Sequence, residues 1–244
     1  MGKIKLSIIA AAVSATALLM PSCSDLDSKG PWMLKPSAVV TVKPQPDGQF
    51  IMQLDENTVL IPTNLKTSPF GKKEVRALVN YTESESRAAT TRNVCVNWID
   101  SIRTKNTVPS LGDLNDTKYG NDPIEIVKDW LTVAEDGYLT LRIRTIWGCL
   151  NVRHSINLLT DVNPENPYEL ELRHDANGDV NGELGDALIA FNLKNLPHAE
   201  GENIIIKLNW NSYTGPKSVE FDLGGMDNAT SLDFAKPAFK GFID

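Results

Sequence analysis

The chain has 244 residues, 41% hydrophobic and 23% charged, with a formal net charge of −7. That length suffices for two small domains with real cores. An acidic balance argues against nucleic-acid ligands, whose affinity rests on neutralising phosphates.

Lys3 and Lys5 precede an apolar run from Leu6 to Met20, followed by Pro21-Ser22-Cys23-Ser24. A short basic region, an apolar region too short to span comfortably and a small residue before the break predict a signal peptide over 1–22. Cys23 sits where bacterial lipoprotein processing cleaves and attaches diacylglycerol to the sulfur, although Met20-Pro21 departs from the usual Leu-Ala-Gly type of motif. Acyl chains contribute roughly 0.8 kcal/mol per buried methylene, so lipidation of Cys23 predicts a firm membrane anchor. Loss of 1–22 removes two lysines and no acid, which takes the charge from −7 to −9. Ser24-Asp25-Leu26-Asp27 resembles the acidic export tract of surface lipoproteins in Bacteroidetes. The expected location is therefore the outer membrane, with the cell surface favoured over the periplasmic face. Residues 23–37, with Gly30, Pro31 and Pro36, read as a tether.

Five short strands are expected over 38–104. They lie at Val39–Val42, Phe50–Leu54, Thr58–Ile61, Glu74–Tyr81 and Asn93–Ile99, parted by turn clusters such as Pro44 to Gly48. That density of strands predicts a small barrel of the oligonucleotide/oligosaccharide-binding (OB) type. The polar stretch Thr82–Arg92 reads as an exposed loop. From 105 to 122 the apolar pattern lapses into Thr, Lys, Asn, Pro, Gly and Asp, which predicts a linker.

The second unit, 123–244, opens with Ile124–Val127 and runs into three alternating segments: Tyr138–Ile146, His154–Thr160 and Tyr168–His174. Ala187–Leu193, Asn203–Trp210 and Ser218–Leu223 complete it. Strands separated by Asn163-Pro164 and Asn177-Gly178 predict a β-sandwich. No segment sustains a helical period, so the fold class is all-β: an N-terminal OB-like small barrel followed by a C-terminal β-sandwich.

Particular residues carry a resemblance. Asp136-Gly137-Tyr138-Leu139, His154 leading Ile156 and Leu158, Leu172-Arg173-His174-Asp175 with Asn177-Gly178-Asp179, Ala187–Leu193 and Lys207–Trp210 are similar to the NigD-like lipoproteins of Bacteroidetes. The likeness covers nearly all of the mature chain. It implies the same barrel-plus-sandwich arrangement and, because the founding member belongs to a bacteriocin gene cluster, an immunity or accessory role. It confers no catalytic residues.

Site candidates are few. A hairpin with Thr160 opposite Tyr168 would place Leu158 against Leu170, Ile156 against Leu172 and His154 against His174, all on the core face. Cross-strand histidines can share a metal, but hydrogen bonding to nearby groups is the favoured role. Asp175 would point elsewhere, leaving no third ligand. Asp175-Ala-Asn-Gly-Asp179 resembles the start of a calcium loop, yet Val180 replaces the expected glycine and Asp186 the glutamate, so a polar hairpin turn is preferred. Cys95 and Cys149 could pair in an oxidising envelope, but buried free thiols are preferred. Glu169 and Glu171 read as solvent-face charge. Trp98, Trp130, Trp147 and Trp210 would support glycan binding only as an exposed platform; packing is the commoner role.

No Gly-x-Ser-x-Gly, His-Glu-x-x-His, Gly-x-x-x-x-Gly-Lys or Gly-x-Gly-x-x-Gly is present. The expectation is a lipid-anchored, non-enzymatic envelope protein without a cofactor. It would bind another protein through loops such as Thr82–Arg92 and the neighbourhood of Gly201. A surface glycan binder is the alternative, and an adhesion or fimbrial subunit the third reading.

Overall fold

The computed structural model describes residues 36–87, 90–148, 151–197 and 204–223. The first five strands are β1 (Ala38–Pro44), β2 (Phe50–Gln53), β3 (Val59–Pro62), β4 (Val75–Arg87) and β5 (Thr91–Ser101). They close into a barrel in the order β1-β2-β3-β5-β4, with β4 returning to β1. Alternate residues fill it: Val40, Val42, Phe50, Met52, Leu60, Ala77, Val79, Val94 and Val96. The stretch Thr82–Arg92 is not the loop its polarity suggested. β4 continues to Arg87 and pairs with β5 through Thr82 opposite Cys95 and Glu83 opposite Val94, beyond a register shift at Asn80/Tyr81. There β5 lies between β4 and β3, and of the polar side chains Thr82 is exposed and Glu83 only half-buried, which is why the stretch reads as a loop.

The second unit stacks two sheets. One follows the order β6 (Arg103–Asn106), β13 (Glu183–Asn192), β10 (Tyr138–Trp147), β8 (Glu125–Ile126), with β9 (Val133–Glu135) also on β10. The other follows β15 (Gly215–Leu223), β14 (Ile204–Ser212), β12 (Glu169–Asp175), β11 (Ser155–Thr160), β7 (Val108–Pro109). Between them lie Leu139, Leu141, Ile143, Ile156, Leu158, Leu170, Leu172, Ile189, Phe191, Ile206 and Leu208, drawn from strict alternation on both inner faces.

The expected linker 105–122 is instead part of the sandwich, and the unit begins at Arg103. β6 pairs in parallel with β13, and β7 in parallel with β11, so this stretch supplies an edge strand to each sheet. A five-residue helix α1 (Asn115–Tyr119) follows, buries Asn115 and Tyr119, and is fastened by Tyr119 Oη to the Pro109 carbonyl at 3.2 Å. Edge strands need few apolar residues and tolerate proline, which is why the stretch had no strand-like pattern.

The two units meet over the outer faces of β1 and β4. Val39, Leu78 and Ile102 pack against Leu131 and Ala190, with Trp98, Trp130 and Leu188 around them. Inside this joint Arg76 has no exposed side-chain surface. Its guanidinium donates to Thr41 Oγ1 at 3.0 Å within the barrel, and to Thr140 Oγ1 at 3.2 Å and Glu135 Oε2 at 3.1 Å in the sandwich. Lys43 pairs with Asp136 at 2.7 Å, and Glu74 accepts from Tyr138 Oη at 2.7 Å and from Lys194.

Arg76→Ala should cost about 3–5 kcal/mol of unfolding free energy, because it opens a void and strands Thr41, Thr140 and Glu135 at the joint. Urea denaturation measures this, with exposed Lys66→Ala as a control expected to change little. A loss near that of the control would show that the joint does not depend on this side chain.

Candidate functional site

The far end of the sandwich from the barrel contains a buried polar chain. His154, just before β11, and His174, in β12, are 0% and 1% exposed. Both face the core, as alternation required, and their rings stack with centroids 5.0 Å apart. The register differs from expectation by two residues: His174 stands opposite Ile156, and Leu172 opposite Leu158. Tyr168 does not belong to the ladder. It lies in the turn where Asn166 Oδ1 accepts from its N–H, so β12 starts one residue later. An even shift leaves every side chain on its face.

His154 Nδ1 lies 2.9 Å from His174 Nε2. His174 Nδ1 is 3.2 Å from the Pro123 carbonyl, and His154 Nε2 is 3.2 Å from Asp179 Oδ2. Every ring nitrogen therefore faces a protein group, and none is left to ligate a metal. Among the described residues there is no cluster of three or more metal-ligating side chains.

Proton directions follow from the ends of the chain. A carbonyl only accepts, so His174 Nδ1 carries hydrogen, and in the neutral ring its Nε2 accepts. His154 Nδ1 must then donate to it. The remaining contact, His154 Nε2 to Asp179, needs a third proton, shared between an imidazole and a carboxylate in an ion pair of zero net charge. Asp179 is further held by the Gly148 N–H, at 3.1 and 3.0 Å from its two oxygens. Trp147 covers His154 with a centroid separation of 4.1 Å and donates its indole N–H to the Gly185 carbonyl at 3.0 Å. The chain also reaches the surface. The Ile146 N–H donates to Tyr213 Oη at 3.1 Å; Tyr213 and Thr145 hydroxyls meet at 2.9 Å; Thr145 Oγ1 donates to the Pro123 carbonyl at 3.3 Å.

This clasp joins the two sheets. The histidines belong to the β11–β12 sheet, while Trp147 ends β10 in the other and Gly148 follows it, and Asp179 lies on the crossover between β12 and β13. Asp175–Asp179 is therefore not a hairpin turn. It is a sheet-to-sheet connection whose turn at Asn177 and Gly178, both at positive φ, swings Asp179 inward. The backbone passes so close that a Cβ built on Gly148 would lie 2.0 Å from the Asn181 carbonyl oxygen. Over the clasp lie exposed apolar side chains: Leu184 at 60%, Val180 at 51% and Tyr213 at 41%.

The remaining candidates separate cleanly. Cys23 and Gly201 lie outside the described residues, as does Cys149. Cys95 is a free thiol but exposed, correcting the expected burial, because it is on the outward face of β5. Glu169 is more than solvent-face charge: Asn163, Lys207 and Asn209 donate to it and hold its carboxyl down to about 2. Trp98 and Trp130 pack at the domain joint, Trp147 on His154, and Trp210 in the core. A shallow groove of about 430 Å³ on the outer face of β12, β14 and β15 has polar walls tied to one another or nearby: Asn209 to Glu169, Asn211 to the Asn121 carbonyl, Lys217 to Glu125. Asp179, Pro123, Thr145 and Tyr213 were missed as clasp members. Only the inward positions of the two histidines gave a signal.

A family model described as the NigD-like N-terminal OB domain matches residues 39–102, and one described as the NigD-like C-terminal beta sandwich domain matches residues 106–223. Among solved structures, a protein described as toxin-related from Parabacteroides distasonis is 32% identical, with a TM-score of 0.63 over 76% of this chain and 91% of its own. A protein of unknown function from Bacteroides vulgatus is 22% identical, with a TM-score of 0.65 over 83% and 94% of the two chains. A NigD-like immunity protein from Bacteroides caccae is 22% identical, with a TM-score of 0.54 over 75% and 90%. No curated protein matches the chain.

The clasp should make stability fall in mild acid. Burial, then the charge of His154, hold the His174 imidazole down to about 4, against the opposing pull of the Pro123 carbonyl and Asp122. In the unfolded chain it returns to about 6.5. As pH falls below that value, the unfolded chain takes up a proton that the folded protein refuses until about pH 4, so stability drops across this window and then levels. The loss is on the order of 3 kcal/mol. Urea unfolding from neutral pH downward measures it, and His174→Gln, which keeps a donor and an acceptor without charging, should flatten the slope. An equal slope in both proteins would rule out His174 as its source.

Proposed function

The chain belongs to the NigD-like family, and we propose that it is a lipid-anchored, non-enzymatic cell-envelope protein that binds another protein through the distal end of its sandwich. One observation carries this reading: Leu184, Val180 and Tyr213 are left exposed on a segment fixed in place by the clasp. Large apolar side chains on a rigid support lose little conformational entropy when covered. The resemblance to a bacteriocin-associated family and the 32% identical relative described as toxin-related support a protein toxin as the partner class, with occlusion as the mechanism. Lipidation at Cys23 would anchor the protein to the outer membrane. Glycan binding loses its main support, because the four described tryptophans are packed rather than displayed.

The test is capture of a partner from the protein's own envelope at neutral pH, compared between the natural chain and Leu184→Glu. One stoichiometric protein captured at least about tenfold less well by the variant is expected for a central apolar contact. Equal capture by both would exclude this surface. Cys23→Ala should move the protein from the membrane to the soluble fraction, and continued membrane retention would overturn the anchor.

A further inference from the structure

We propose that the clasp is an acid-released latch: one added proton breaks the contact between its histidines and unfastens the sandwich end that carries Leu184, Val180 and Tyr213. The argument rests on hydrogen-bond directions. From the Pro123 carbonyl to Asp179 there are three contacts, and three protons fill them. A fourth proton breaks a contact where it lands on the accepting nitrogen of His174. On His174 Nε2 it would face the N–H of His154 across 2.9 Å. There two donors point at each other, and this pair of histidines, at most 1% exposed, has no room to turn both toward water.

The groups facing the latch from each packed element are few. His154 lies beside His174 on the adjoining strand, and Asp179 closes the chain from the crossover. Asp122, before β8, acts on His174 while its carboxylate accepts from the Ala176 N–H at 2.8 Å. Tyr213, from the β14–β15 turn, connects through Thr145. The Pro123 carbonyl and Asp122 favour a charged ring, but burial and the neighbouring His154 prevail, so His174 charges only near pH 4.

The consequences are local. Pro123 leads into β8, Gly148 follows β10, and Asp179 adjoins Val180 and Asn181, whose carbonyl presses on Gly148. Losing the His–His contact cuts the polar chain between the Pro123 carbonyl and Asp179 and loosens the crossover's hold on the β11–β12 sheet. The barrel joint is held by Arg76, which keeps its charge throughout this range, so acid acts on one end of the molecule. If the distal strip is the partner surface, a clause that rests on the function proposed above, the protein binds when neutral and lets go in acid.

The experiment uses the mature chain without a partner. Ring NMR follows both histidines from neutral to about pH 4, while hydrogen exchange, corrected for the intrinsic pH effect, follows the backbone. The expected result is a His174 ring that stays neutral until near pH 4, with at least tenfold loss of protection over 120–124, 145–148 and 172–184 and an unchanged barrel. His174→Gln should keep that protection across the range. A His174 ring that titrates near the ordinary histidine value, equal loss of protection in both proteins, or simultaneous loss in the barrel would each overturn the latch. The ring titration of the natural chain decides even if the variant fails to fold. Capture by Leu184→Glu at neutral pH addresses the partner surface separately, so the two readings can fail independently.

Discussion

A guanidinium without exposed surface is an unfavourable thing to bury, and Arg76 lies between two domains. Burial pulls it toward its neutral form, and burial likewise raises the Glu135 carboxyl, so the attraction between them does not offset the lost hydration. What the arrangement supplies is placement. Its donors reach one hydroxyl on β1, one on β10 and a carboxylate on β9, and only this seating of barrel on sandwich brings all three within reach. The apolar ring of Val39, Leu78, Ile102, Leu131 and Ala190 keeps the joint dry enough for that demand to matter.

β10 connects this joint to the clasp. Thr140 meets Arg76 near its start, Thr145 meets Pro123 and Tyr213 near its end, and Leu139, Leu141 and Ile143 fill the core along the way. The two polar sites differ in kind. Arginine keeps its proton at any pH the protein meets, so the joint is permanent. The His174 imidazole takes up a proton only near pH 4, so the clasp is conditional on acid. Rigidity at one end and a titratable fastening at the other are both achieved with short side chains on a single strand and its neighbours.

Strand existence was legible because period-two alternation records which face is buried, and all five barrel strands and the core strands of the sandwich carried it. Edges were not. Arg103 to Pro109 pairs with both sheets yet has little apolar surface to bury, so nothing in its composition separated it from a linker. The register of β11 and β12 slipped by two because it depends on how the Asp161–Pro167 connection closes, which alternation does not encode. The two histidines could be placed on the core face, but Asp179 could not. Its inward swing depends on Asn177 and Gly178 at positive φ and on a change of sheet, and both are three-dimensional facts. Arg76 looked like one more polar residue on a barrel strand, since an outward position meets water or another domain with the same spelling.

That ambiguity bears on the distal surface. The outward pairs along β10 and β13 run Thr140 with Ala190, Arg142 with Leu188, Arg144 with Asp186, and Ile146 with Leu184. The first lies under the barrel, Leu188 packs at its margin, and the charges of the next two pairs join Arg142 and Arg144 to Asp186. Only the last pair is wholly apolar and neither at the joint nor ion-paired: Ile146 is half-buried and Leu184 exposed. A single exposed leucine means little. One at the end of a ladder whose other members are covered or ion-paired, opposite an Ile146 whose N–H is held by Tyr213, is a surface that folding has left exposed while satisfying the polar groups beneath it.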